Sequence, residues 1–567
     1  MQLSMLDWVI VGTVLVLIIA VGLVVSKKAE TDSTAFFLGN RQMPWWLLGT
    51  SMVATTFAAD TPNLVTGLVR TGGVAANWGW WAFLLTGMIT AFIYARLWRR
   101  LGTLTDIEFY ERRYVGKPAA TLRGVRAVYI GVFFNVLVMA NVTLALIKYA
   151  NVLFGLSPTS VVILAGLASL ILSVSGGLLG VLITDFILFV MAMGGAIAAA
   201  WYAVHLPEAG GLAHMMNAPQ LIGKTSFFPD FKDPNSYIPI LLIPLLVQWW
   251  SAWYPGSEPG GGGYIAQRML AAKDENHATK AVLLFNLAHY ALRPWPWILV
   301  ALASLLVFPD IEDVRTALPH IDPSLINEDI AYPAMLSFLP HGLLGIVVAS
   351  ILAAYISTMS TMLNLGASYV VGDVYVRFLS PHASEKHKVR MGQLVTALLM
   401  VAVALLALRL ESATQSFRLL LSVGAGTGLL FFLRWFWGRI NAWSEIAAMV
   451  FSLIVVWGVE HWADGLADWQ KYALSVGLTT LGWLIVTLLT PPTPKEKLQA
   501  FRAETRSGTV NIRAGLVAAL LASISVYALM FASGSLLYGR TLQALLYGGV
   551  CILTALPCAY LYKRTGR

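Results

Sequence analysis

The sequence predicts an all-α polytopic membrane protein with about fifteen transmembrane spans, arranged as two inverted five-helix units with extra flanking helices. Three observations predict this. Of the 567 residues, 58% are hydrophobic and only 12% are charged, with a mean hydropathy of +0.71; soluble domains run near roughly 45–50% apolar and about 25% charged. Basic loops alternate regularly with short, mixed or acidic ones. Finally, two apolar spans that lie five apart cannot be continuous helix.

The spans lie near 6–26, 44–70, 76–97, 123–154, 158–175, 178–204, 237–264, 278–307, 341–375, 389–409, 413–438, 440–462, 470–490, 512–533 and 541–562. The first begins at "MQLSMLD", which lacks the basic start of a cleavable signal, and its apolar run is long enough to cross a bilayer. Loops after odd-numbered spans, such as "RLWRRLG", "QRMLAAKDENHATK" and "RFLSPHASEKHKVR", are basic. The longest acidic loop, "PDIEDVRTALPHIDPSLINEDIAYP", follows an even-numbered span. Cytoplasmic loops carry the excess of Lys and Arg, so a multi-pass position in the cell membrane is expected, with the N-terminus outside and "YKRTGR" in the cytoplasm. The net charge of +9 is then a matter of topology and not of nucleic-acid binding. The partner expected at this point is the lipid bilayer, with no obligatory protein partner evident. Cys551 and Cys558 stand in no metal or redox motif and read as small apolar residues. No stretch between spans exceeds about 35 residues, short of the roughly 50 that the smallest domains need. Soluble catalytic and nucleotide-binding domains are thereby excluded, and no P-loop pattern occurs.

The second span carries "TTFAADTPN", with Asp60 and Pro62 at membrane depth. The seventh carries "YPGSEPGGGG", whose prolines and glycines break a helix. Free backbone groups in lipid are costly, so broken helices survive where they line a cavity or bind something. Each break opens a five-span unit, and five is odd, so the two units enter the membrane from opposite sides. That is the pattern of an inverted-repeat secondary transporter with ions and solute near the midplane. The resulting divisions are 1–43, a first helix and loop; 44–204, the first unit with its broken helix at 44–70; 237–438, the second unit with its broken helix at 237–264; and 440–567, accessory helices.

"VASILAAYISTMSTMLN", residues 348–364, places four hydroxyls in a membrane helix. Ser357, Ser360 and Thr361 share one face at i, i+3 and i+4, and Thr358 flanks it. One such hydroxyl alone reads as a back-bond to its own helix. Four together read as hard, neutral oxygen ligands suited to Na+, with the break in the second span freeing carbonyls near Ala54 and Phe57. Asp185, in "GGLLGVLITDFILFV", is a carboxylate at membrane depth and a functional candidate. It charges a second cation site or carries a proton.

These stretches, with "FFLGNRQMPWWLLGTSMVATTFAAD", "SGGLLGVLITD", "YIAQRMLAAKD" and "FWGRIN", resemble the sodium/solute symporter family over about residues 35–445. That family includes sodium/glucose, sodium/proline and sodium/sialic acid transporters and has a LeuT-like core. The resemblance implies a main sodium site at Ala54, Phe57, Ala354, Ser357 and Thr358, and a second at Asp185, Ser357, Ser360 and Thr361. It implies sodium-coupled symport of a small polar solute (a sugar, sugar acid, organic acid or amino acid) by alternating access, and no enzyme.

Solute contacts are expected from Thr56, Asp60, Thr61, Asn77, Trp253, Tyr254, Glu258, Tyr264, Arg293, Gln415 and Arg418. Where sugar-transporting members of the family carry Asn/Asp-Gln residues, this chain has "GSEPGGGGY"; where they carry a lysine, it has Arg293. A guanidinium at that depth needs a partner. Either Glu258 supplies it, or a solute carboxylate does, with Arg418 assisting if it points inward; the second option leans towards an acidic solute. Rival readings are a proton-coupled symporter using Asp185, a channel and a membrane enzyme. His289 is the only histidine deep in a span, with no His or Glu at ligand spacing, and reads as packing or hydrogen bonding.

Overall fold

The computed structural model describes residues 3–26, 38–173, 178–252, 258–410, 412, 418, 421, 424, 426–463 and 465–565. Those residues are helical, with no strand beyond an isolated parallel bridge between Met43 and Ala272. In chain order the main helices are α1 (Met5–Ser26), α2 (Trp45–Thr56), α3 (Asp60–Gly72), α4 (Val74–Leu101), α5 (Gly116–Phe154), α6 (Pro158–Ser173), α7 (Leu178–Val204), α8 (Pro234–Leu246) and α9 (Gly263–Ala271). There follow α10 (Glu275–Val307), α11 (Leu343–Leu379), α12 (Glu385–Ala407), α13 (Gly428–Leu433), α14 (Ala442–Trp462), α15 (Asp468–Leu489), α16 (Lys495–Thr505), α17 (Ile512–Leu537) and α18 (Thr541–Thr565). Ten helices among the described residues are long and apolar enough to cross a membrane: α4, α5, α7, α10, α11, α12, α14, α15, α17 and α18. Ten of the 26 residues of the expected span at 413–438 lie outside the described residues.

The break expected in the second span separates α2 from α3. Pro44 opens α2 in an extended conformation (ψ 149°), where its missing N–H costs nothing. At the other end Phe57 leaves the helix (φ −85°, ψ 66°) while its N–H still reaches the carbonyls of Val53 and Ala54. After Phe57, Ala58 and Ala59, α3 restarts with Pro62 in its first turn, where no donor is required. In the seventh span, among the described residues, regular helix stops at Leu246 and resumes at Gly263. The two broken elements are tied together: Met43 N–H donates to Ala271 O (3.2 Å), and Lys273 N–H to Met43 O (3.1 Å).

α7 packs against α2 and α11, and α1 lies against α7 and α11. Helix α1 also caps α11. The buried Asp7 carboxylate accepts from the N–H groups of Gly342 (2.6 Å) and Gly345 (2.9 Å), from Ser4 N–H and hydroxyl (2.9 and 2.6 Å), and contacts His341 Nδ1 (3.0 Å). The first N–H groups of a helix have no partner within it, so a carboxylate there satisfies them and complements the helix dipole. Gly345 permits the approach, since a Cβ on it would stand 2.8 Å from Asp7 Cα. Lower down, Val14 packs on Leu188 of α7 and Ala353 of α11.

Asp7→Ala should therefore destabilise the protein by about 1–2 kcal/mol, seen as a lower unfolding midpoint in detergent. Asp7→Asn still accepts hydrogen bonds and should lose less. Identical midpoints for all three proteins would contradict this capping role.

Candidate solute cavity and ion-ligand cluster

A cavity opens between α2, α4, the segment 258–265 and α10. Its walls are aromatic: Phe83, Tyr264, Phe285 and Tyr290. Its polar lining is Thr56, Thr86, Thr90, Glu258, Asn286 and His289. Three of the donors there are already spent. Thr86 Oγ1 donates to Trp249 O, Thr56 Oγ1 to Met52 O or Val53 O (both 2.9 Å), and Asn286 Nδ2 to Val282 O (2.8 Å). Asn286 Oδ1 and His289 Nδ1 are buried without a hydrogen-bond partner among the described residues. Local backbone irregularity accompanies the lining: α4 is π-helical over Thr90–Tyr94 and α10 over Leu287–Leu292, and such turns recur at functional sites.

Of the two partners weighed for Arg293, Glu258 is not the one it meets. Glu258 is ion-paired with Arg126 of α5, both nearly fully buried. Arg126 Nε also donates to Tyr110 Oη (3.0 Å), which accepts from Arg434 (3.1 Å), and Arg434 reaches Glu445 at 3.3 Å. Glu258 thus faces a cation supplied by another helix. Arg293 lies instead over the rings of Phe57 (5.6 Å) and Trp297 (5.1 Å), close to Thr56 Oγ1 (3.4 Å) and Val53 O (3.5 Å). It interacts electrostatically with Asp60, whose carboxylate accepts from Asn141 Nδ2 (2.6 Å). Cation–π contact and a nearby carboxylate supply what a buried guanidinium needs.

Two other expectations are corrected. Arg418 does not point inward: its side chain is 68% exposed and pairs with Asp468 at 2.9 Å. Asn77 is buried but turned back on the first turns of α4, with Nδ2 donating to Val74 O (3.0 Å) and Oδ1 accepting from Trp80 Nε1 (2.8 Å), which leaves little amide for a solute. Thr61 Oγ1 lies 3.5 Å from Thr56 O, across the α2–α3 break. Trp253, Tyr254 and Gln415 lie outside the described residues. The sequence reading missed Thr86, Thr90 and Asn286, whose only signal is polar residues at helical spacing in apolar spans.

The hydroxyl face of α11 meets α2 and α7. Ser357 Oγ donates to Asp185 Oδ1, and Ser51 Oγ of α2 to Asp185 Oδ2 (2.6 Å). Arg268 of α9 stands 3.8 Å from Asp185 and 3.3 Å from Ser51 Oγ. Ser51 and Arg268 were also missed; a buried carboxylate asks for such a cation, but the chain does not say which one. Thr358 Oγ1 reaches Thr55 O at the end of α2 (3.3 Å). Ser360 Oγ back-bonds to Ser357 O (3.1 Å), and Thr361 Oγ1 is buried with no partner among the described residues. Ala354 is buried on the same helix, three residues before Ser357.

The sequence pattern of the sodium:solute symporter family matches residues 36–452. The sodium/glucose cotransporter of Vibrio parahaemolyticus is 28% identical over 481 residues, covering 80% of this chain and 84% of that protein. Sodium/myo-inositol cotransporter 2 of Homo sapiens is 25% identical over 479 residues, covering 77% and 67%. The solved structure of a Na+-coupled sialic acid symporter, substrate-bound and outward-open, aligns with a TM-score of 0.69 over 87% of this chain and 99% of that one, at 20% identity. The fold is shared with that protein.

Glu258→Gln should leave Arg126 charged and buried without its counter-ion, at a cost of about 3–5 kcal/mol. Adding Arg126→Gln should recover part of the loss. Thermal unfolding of the three variants measures this, and a single mutant as stable as the wild type would contradict the pairing.

Proposed function

Because the chain belongs to the sodium:solute symporter family, we propose that it imports a small neutral solute bearing hydrogen-bond donors, driven by Na+ moving down its gradient. Na+ is the coupling ion. The solute occupies the cavity between α2, α4, the segment 258–265 and α10, which at about 40 Å³ must widen to admit it. The observation that carries the solute class is the state of that lining: the Thr56, Thr86 and Asn286 donors are spent, Asn286 Oδ1 is left as an acceptor, and Glu258 is already matched by Arg126. Arg293, with Phe57, Trp297 and Asp60 around it, is met within the protein. A neutral polyol suits such a lining better than the acidic solute that Arg293 alone suggests. The names of the glucose and myo-inositol relatives agree with this class.

The ions are carried beside the same break. Carbonyls of Ala54, Phe57 and Ala354 with the hydroxyls of Ser357 and Thr358 form the main site, supported by the approach of Thr358 to the end of α2. Asp185, Ser357, Ser360 and Thr361 form the second, supported by the Ser357–Asp185 contact and the unpartnered Thr361 hydroxyl. Arg268 offsets part of the Asp185 charge there, so an ion at that site would be held more loosely than at a bare carboxylate. The two breaks open two inverted five-helix units, 44–204 and 237–438, within about fifteen spans, with the basic loops and the C-terminus in the cytoplasm. Rocking one part of these units against the rest exposes the site alternately to each side.

Ser357→Ala or Thr358→Ala should raise the Na+ concentration for half-maximal uptake roughly tenfold, the equivalent of about one hydrogen-bond-sized interaction. Asp185→Asn should lower the Hill coefficient for Na+ towards one. Unchanged Na+ dependence in all three, or uptake driven by a pH gradient without Na+, would sink the ion assignment.

A further inference from the structure

The geometry points to His289 and Asn286 as the pair that selects the solute, each hydrogen bonding to a hydroxyl of the solute in the cavity. This rests on the solute reading above and adds the residues that enforce it.

His289 is 3% exposed and lines the cavity. Three rings hold its imidazole: Trp80 at 5.6 Å edge-on, Phe285 at 5.2 Å and Tyr290 at 4.5 Å. Rotation away to find another partner would break that packing. Two other histidines, His205 just past the end of α7 and His461 in α14, satisfy Nδ1 on the carbonyl four residues back: Trp201 O (2.6 Å) and Trp457 O (2.8 Å). His289 makes no such bond; it sits in the π-helical turn Leu287–Leu292, and Nδ1 is left without a partner among the described residues. An exposed histidine has water to fall back on, whereas a buried one does not. The histidine whose polar atom most needs a partner is thus the one placed on the cavity.

Asn286, fully buried one turn earlier, repeats the pattern. Its Nδ2 is spent on Val282 O (2.8 Å), which leaves Oδ1 as an acceptor. Gly87 of α4 makes room for it, since a Cβ on Gly87 would stand 1.8 Å from Oδ1.

The two groups define what they accept. Arg293 lies one turn further along α10, so a protonated His289 would place a second positive charge beside it. The neutral ring offers one N–H donor and one lone pair. A hydroxyl donates and accepts, and so can serve His289 in either tautomer and Asn286 as an acceptor. A carboxylate would set its oxygens against Asn286 Oδ1 and Glu258. A quaternary ammonium centre has no proton to give to either residue, and choline brings a single hydroxyl for the two of them. Sites built to hydrogen-bond a substrate reject analogues that lack the group, because their own buried polar atoms are then left unpaired.

The test uses the purified full-length protein in detergent with saturating Na+. Thermal stabilisation by D-glucose, D-galactose, D-mannose, myo-inositol, D-glucuronate and choline is titrated first. A neutral polyol should bind best. His289→Phe keeps the ring and removes both nitrogens, and should weaken that polyol at least tenfold while the stabilisation by Na+ alone stays unchanged. His289→Gln should restore part of the affinity. The deoxy analogues of the best binder then separate contact from structure. One of them should bind wild type at least tenfold more weakly than the parent, yet bind His289→Phe within twofold of the parent. Asn286→Leu should show the same behaviour towards a deoxy analogue. If His289→Phe binds the polyol as wild type does, or every deoxy analogue loses equally in wild type and mutant, His289 is not a selecting residue. If D-glucuronate or choline binds best, or no neutral probe binds wild type, the neutral-solute reading fails and takes this inference with it.

Discussion

A charge held in an apolar interior must be met by an opposite charge, and this constraint ties the molecule together. Asp185 on α7 is met by Arg268 on α9, Glu258 in the interrupted segment by Arg126 on α5, and Asp329 in the acidic loop by Lys148 on α5. Asp60, at the start of α3, lies under the influence of Arg293 on α10. In each case a group on or beside an irregular segment is joined to another element. Such pairs add little net stability, because desolvation consumes most of the Coulombic gain. What they supply is position: a broken helix has lost part of its own hydrogen-bond ladder, and a buried pair fixes where its ends lie.

That arrangement bears on how ion and solute are linked. The end of α2 serves both regions. Thr56 lines the cavity, while Thr55 O meets Thr358 of α11, and Ser51, one turn earlier, meets Asp185. Under the proposed assignment, an ion that draws α11 and α2 together acts on the backbone that forms one wall of the solute cavity. Coupling then needs no long relay; it acts within a few residues of one broken helix.

The breaks were legible in the sequence because their causes are local. Pro62 with Asp60, and the glycines of "PGGGG", disrupt a helix wherever they stand, and α2 ends four residues before Asp60. The long helices at 123–154 and 341–375 were legible by apolar length and are present as Gly116–Phe154 and Leu343–Leu379. The charge partners were not legible. Glu258 and Arg293 are closer in sequence than Glu258 and Arg126, yet the second pair forms, because helix crossing and not chain distance decides which charges meet. Likewise the clustering of hydroxyls drew attention to α11, whereas Asn286 and Thr86 look ordinary until α4 and α10 are seen to enclose a cavity between them.

The central claim is that a sodium gradient does work on a neutral solute through this protein. The most direct measurement reconstitutes it in liposomes with Na+ outside and K+ inside and follows radiolabelled hexose or myo-inositol. Accumulation above the external concentration is expected, collapsing to equilibrium when a Na+ ionophore is added. Accumulation of equal size with K+ on both sides, or uptake that never exceeds equilibrium under the Na+ gradient, would contradict it.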